Sequence, residues 1–141
     1  MIVSEDALRS LSPLALAHMG DGVYELLVRR ELCRKGLLTA SNLHRATVQY
    51  VSAGAQARAA RGLFDHLTEQ EMAVFRRGRN CRSHAAPHAV SEGEYHAATG
   101  LEALFGWLYL REENARIEEL FAILWENANA TGCGSADGTA K

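Results

Sequence analysis

A chain of 141 residues can form one domain with a real core and is too short for two. Hydrophobic residues make up 48% and the net charge is −2, which excludes a globally basic nucleic-acid binder and leaves any such binding to a local patch. No apolar run approaches the roughly 18 residues of a membrane span, and MIVSEDALRS has neither the basic start nor the apolar stretch of a signal peptide. The expected location is therefore cytoplasmic, away from any membrane.

Only two prolines occur, Pro13 and Pro87, and no segment alternates apolar and polar residues long enough to make a strand, so the predicted class is all-α. Ser12 before Pro13 is a helix start, and Gly36 is the natural stop of a helix running to about Lys35. On that helix Leu14, Ala17, Asp21, Tyr24 and Val28 share one face, which is apolar except for Asp21. A carboxylate facing a core needs a charge or donors in place of lost water, so Asp21 asks for a partner. Gly20 and Gly22 flank it, each costing about 1 kcal/mol in a helix, which points to a close approach of backbone or ligand. The plain alternative is a surface Asp or a simple ion pair. The same helix carries a second apolar face, Leu16, Met19, Val23 and Leu27, available for self-association.

A second helix begins at Ser41 with Leu43, Ala46, Thr47, Tyr50 and Val51 inward, and Ser52 breaks or re-caps it. Small residues then carry a third helix past Gln56, Ala60 and Leu63 to about His66. Thr68 with Glu71 has capping-box spacing and opens a short helix to about Arg76. Periodicity disappears between Arg77 and Val90, so RGRNCRSHAAPHAV reads as a basic loop. Ser91 with Glu94 is a second capping box, opening a helix to about Leu110, and a last helix from Asn114 to Asn127 turns Ile117, Leu120, Phe121, Leu124 and Trp125 to the core. Residues 1–129 form the expected domain and 130–141 a disordered tail. Cys33, Cys81 and Cys133 are odd in number and widely spaced, which fits reduced thiols.

Glu102 repeats the situation of Asp21, on a stripe with Tyr95, Ala98, Phe105, Gly106 and Tyr109. Two acids on apolar faces either repel one another or share a cation, and Mg²⁺ suits a site of few carboxylates completed by water and substrate oxygens. Arg76, Arg77, Arg79 and Arg82, with Gly78, Asn80 and Ser83 between them, would suit phosphates, the plain alternative being a solvated charge run. His84, His88 and His96 fit no standard ligand spacing.

Three blocks, LSPLALAHMGDGVYELLVRREL, FRRGRNCRSH and YHAATGLEALFGWLYL, resemble in order and spacing the most distinctive segments of the Mini-ribonuclease III family, the compact relatives of ribonuclease III. The resemblance extends to about Ala128. It implies an all-helical, homodimeric ribonuclease III endonuclease domain without the appended double-stranded-RNA-binding domain. It further implies Mg²⁺-dependent hydrolysis of double-stranded RNA, with Mn²⁺ as a substitute, leaving a 5′ phosphate and a 3′ hydroxyl. The implied substrate is the paired ends of the 23S ribosomal RNA precursor, with a ribosomal protein or an assembling ribosomal subunit as a further partner. The family's aspartate falls on Asp21 and its glutamate on Glu102, the implied metal and catalytic residues. Its RNA-gripping loop falls on Arg76, Arg77, Gly78, Arg79, Asn80, Arg82 and Ser83. Full-length ribonuclease III has further acids where this chain has Leu14, Ala17 and Thr99, so the site is leaner. The alternative functions are an inactive helical RNA-binding or scaffold protein of the same fold and a metal-dependent nucleotide phosphohydrolase.

Overall fold

The computed structural model describes residues 2–81 and 91–130. Its helices are α1 (Glu5–Ser10), α2 (Pro13–Arg34), α3 (Ala40–Val51), α4 (Ala53–Arg61), α5 (Glu69–Arg79), α6 (Glu92–Leu110) and α7 (Asn114–Ala130), with a 3₁₀ turn at Phe64–His66 between α4 and α5. There is no strand among the described residues. Helix α6 is the axis of the fold. From Ala98 to Leu110 every residue except Glu102 and Tyr109 is buried, the pattern of a helix enclosed on all sides. Helices α2, α4 and α5 supply most of that enclosure.

The helix starts are set by short side-chain caps. Ser12 accepts from the Ala15 N–H at 3.0 Å, Thr39 from Asn42, Ser52 from Ala55 and Ser91 from Glu94. Ser52 both ends α3 and starts α4. The Thr68–Glu71 capping box is complete. At α6 only the Ser91 half of the expected box is formed, and the Glu94 carboxylate lies against Gly54 of α4.

Four features differ from expectation, the last helix running to Ala130 instead of Asn127. Helix α1 was not foreseen, although Ser4 caps it and Glu5 and Asp6 occupy its first turn. Helix α4 ends at Arg61 instead of running to His66. Helix α5 continues to Arg79, so Arg76, Arg77, Gly78 and Arg79 are helical and not loop. Arg82, Ser83, His84, His88, Cys133 and the expected tail from 131 onward lie outside the described residues.

The crossing of α2 over α6 is a backbone contact. A Cβ on Gly20 would sit 1.6 Å from the Glu102 carbonyl oxygen, and one on Gly106 would sit 2.0 Å from the Leu16 carbonyl oxygen. Around this crossing Tyr24 meets Phe105 and Phe121 edge-on at 5.7 and 5.8 Å, and Tyr50 stacks on Trp125 at 4.6 Å. Ile117, Leu120, Phe121 and Leu124 close the core from α7.

One buried ion pair ties α5 to α7. Burial pushes the Glu71 carboxyl up, but hydrogen bonds from Arg116 and from the Thr68 N–H outweigh it and hold it below its ordinary value. Arg116 donates to both Glu71 oxygens at 2.8 Å and to the His66 carbonyl at 2.7 Å.

A methyl group at position 106 has no room, whereas one at Gly22 meets nothing within 4 Å. Gly106→Ala is therefore expected to lose at least the upper end of the roughly 1–3 kcal/mol typical of overpacking. Gly22→Ala should be neutral or gain up to about 1 kcal/mol. Urea unfolding of the two variants beside wild type checks both signs.

Candidate active site

The α2–α6 contact puts the two acids side by side. Gly20 rests on the Glu102 carbonyl, so Asp21, the next residue of α2, comes beside the Glu102 turn of α6. Their burial is unequal, which corrects the expectation that both face the core. Asp21 is exposed, and the expected close approach involves Gly20 alone. Glu102 is the partly buried member. Its carboxyl is pushed up to about 8, first by burial and then by the charge of Asp21, against a lowering by the Gln56 side chain.

No cation answers these carboxylates among the described residues. Neither acid has an ion pair there, while Glu71, Glu118 and Glu31 all have arginine partners. No cluster of three His, Cys, Asp or Glu forms a ligand set there either. Two carboxylates, one solvated and one held in a partly desolvated wall, suit a hard divalent ion that keeps several waters better than a tetrahedral zinc site. The donor set thus fits Mg²⁺ or Mn²⁺.

Positions that bear acids in full-length ribonuclease III are committed elsewhere. Ala17 is buried at the α2–α6 interface, Leu14 is half-buried, and the Thr99 hydroxyl donates to the Tyr95 carbonyl at 3.0 Å.

Gln56 is the site residue that sequence reasoning passed over. It sits on α4 with 1% exposure, among Ala55, Ala57, Ala59 and Ala60. A polar residue on a face of alanines is the same signal that singled out Asp21 and Glu102.

Three of the expected arginines lie on α5. Arg76, Arg77 and Arg79 are exposed in its last turn, where the helix dipole favours positive charge, and Arg79 lies over the Phe75 ring at 5.8 Å. Gly78 lies at the α5–α6 crossing. A Cβ there would meet Ala103 Cβ at 2.8 Å and Gly100 Cα at 3.0 Å, so its close approach is to α6. The exposed arginines therefore sit on a helix packed against α6, and Arg77 lines a pocket with Glu5, Arg9, Trp107 and Arg111. Asn80, also exposed, accepts a hydrogen bond from Arg79 Nε.

Residues 14–113 match the model of the ribonuclease III domain, a span that contains α2, α6 and both acids. Among curated proteins the chain is 46% identical to a Mini-ribonuclease 3 of Symbiobacterium thermophilum over 79% of its own length and 85% of the relative's. It is 39% identical to one of Thermoanaerobacter over 86% of each chain. The chain belongs to the Mini-ribonuclease III family. It is a ribonuclease III-type endoribonuclease. A Fusobacterium nucleatum protein solved by X-ray crystallography has the same fold, with 28% identity and a TM-score of 0.76 over 87% of this chain and 98% of that one.

The raised Glu102 carboxyl has a stability consequence with a definite sign. Between its ordinary value of 4.5 and about 8 the folded chain holds a proton that the unfolded chain has released. Stability should therefore fall as pH rises through that window and level off above it. Thermal unfolding in EDTA from pH 5 to 9 should show this fall in wild type, and a weaker one in Asp21→Asn, which removes the second cause. Glu102→Gln should not show it, and wild type and Glu102→Gln with parallel profiles would refute the assignment.

Proposed function

We propose that this endoribonuclease hydrolyses phosphodiester bonds of double-stranded RNA with Mg²⁺ or Mn²⁺ held by Asp21 and Glu102. The observation that carries the reading is the pair of neighbouring carboxylates with no cation to answer them among the described residues. A divalent ion bound there supplies the Lewis acidity that phosphodiester hydrolysis needs. Asp21, being solvated, can take up an arriving ion without first losing its own hydration to protein. Glu102, held in the α6 wall, fixes where that ion stops. Partial burial around Glu102 lowers the local dielectric and strengthens its attraction for the ion.

Arg76, Arg77, Arg79 and Asn80, with Gly78 placing them against α6 and Arg82 and Ser83 following, serve the RNA strand. Guanidinium groups read phosphates by charge and forked hydrogen bonds, not by base identity. That matches A-form RNA, whose major groove is too narrow and deep for side chains to read bases. The products are a 5′ phosphate and a 3′ hydroxyl. The natural substrate we infer is the paired ends of the 23S ribosomal RNA precursor, met on an assembling ribosomal subunit.

Cutting both strands asks for two sites, and the surface beside Asp21 suits a two-fold dimer. His18, Met19, Gly22, Val23, Leu26 and Tyr109 line an open groove there, with Leu26 66% exposed. Of the face expected from sequence, Met19 and Val23 line this groove, whereas Leu16 and Leu27 are buried in the chain's own core. Leu26→Glu should leave the fold intact, give a monomer in sedimentation and abolish paired cuts. A dimeric Leu26→Glu would move the interface elsewhere.

Cleavage of a long double-stranded RNA beside a single-stranded one tests the central reading. Wild type should cut only the duplex and stop in EDTA. Asp21→Asn and Glu102→Gln should bind RNA but lose more activity than the roughly 10–100-fold that follows loss of a supporting partner. A wild type that binds duplex and never cuts it in Mg²⁺ or Mn²⁺ would make the two acids relics.

A further inference from the structure

Gln56 carries a feature that the proposed chemistry does not yet use. Its Nε2 is the buried side-chain nitrogen or oxygen that makes no hydrogen bond with the described residues. Leaving such a donor unmade keeps the full cost of its lost hydration, which an apolar side chain would not incur. The rest of the buried α4 face is alanine, so nothing in the packing asks for an amide there. Gln56 nevertheless lies close enough to Glu102 to favour that residue's charged form.

Resting on the reading of Glu102 as a metal ligand, we propose that Gln56 is a positioning residue: its buried amide N–H, unmade in the metal-free chain, would take one oxygen of the ionised Glu102 carboxylate when a cation is bound, so that the other is presented beside Asp21. The last torsion of a glutamate is broad and poorly defined by sterics, so a carboxylate with no partner does not select which oxygen it offers. One donor on one oxygen makes that selection. The donor must also be neutral. An arginine or lysine at position 56 would pair with Glu102 and cancel the charge that attracts the cation, as Arg116 does for Glu71. An amide orients the carboxylate and leaves its charge in place.

The test uses the full chain with Mn²⁺ as the probe. Calorimetric Mn²⁺ titration, melting in EDTA and steady-state cleavage of duplex RNA are run on wild type, Gln56→Leu, Gln56→Met and Asp21→Asn. Both apolar variants should melt at or above the wild-type temperature in EDTA, because an unmade buried donor is gone. They should bind Mn²⁺ about 10–100-fold more weakly and lose kcat with KM for RNA unchanged. Unaltered Mn²⁺ affinity in either variant, with binding lost in Asp21→Asn, overturns the role of Gln56 alone. Unaltered affinity in Asp21→Asn as well removes the metal site and this inference with it. Lower EDTA melting temperatures in both apolar variants overturn it too, making Gln56 a residue of the fold.

Discussion

The contact of α2 with α6 through Gly20 and Gly106 is the constraint on which the molecule depends. Carbonyl oxygens of each helix occupy the space where a Cβ of the other would stand. No other pair of residues would bring the axes so close, and the aromatic packing of Tyr24, Phe105 and Phe121 is built around that distance. The same contact brings Asp21 to Glu102, so the fold and the site share one geometric cause. A site built from two crossing helices is also stiffer than one built from loops, which suits chemistry that tolerates little misplacement.

Two partly or fully buried glutamates in this chain meet opposite fates. Glu71 is answered by Arg116 and the Thr68 N–H, its carboxyl is lowered, and it serves the fold by joining α5 to α7. Glu102 has another acid beside it and the Gln56 amide near it, and its carboxyl is raised. Without a cation Glu102 sheds its charge by holding a proton up to about pH 8, and carboxyls perturbed in this way gather at functional sites. The contrast within a single small domain sets a carboxylate that joins two helices apart from the one in the candidate site.

Much of this was legible in the sequence, and the gaps have physical reasons. Ser12, Thr68 with Glu71, and Ser91 act within one helical turn, so local residues predict those helix starts. The two acids were found because each breaks an apolar face, and the family was found because three blocks fall in register. Helix α1 was missed because six residues are too few to show a period. The end of α5 was misplaced because Gly78 reads as a loop residue until the α6 backbone beside it is seen. Which acid is covered could not be read from either helix alone. Glu102 is covered because α4 packs across α6, a tertiary fact, and Gln56 reveals its importance only through that packing.

The α5–α6 crossing leaves the arginine-bearing turn almost no slack. Ala103 and Gly100 meet Gly78 without intervening side chains, so no rotamer change can cushion a shift between the two helices. The arginine backbone and Glu102 must move as one body. On the proposed reading, accommodation of an irregular strand would fall to the arginine side chains, whose long flexible stems carry about 2 kcal/mol of rotamer entropy each. In the proposed reading, labour is divided between a rigid frame that would set the point of cleavage and short-range tethers that would find the strand.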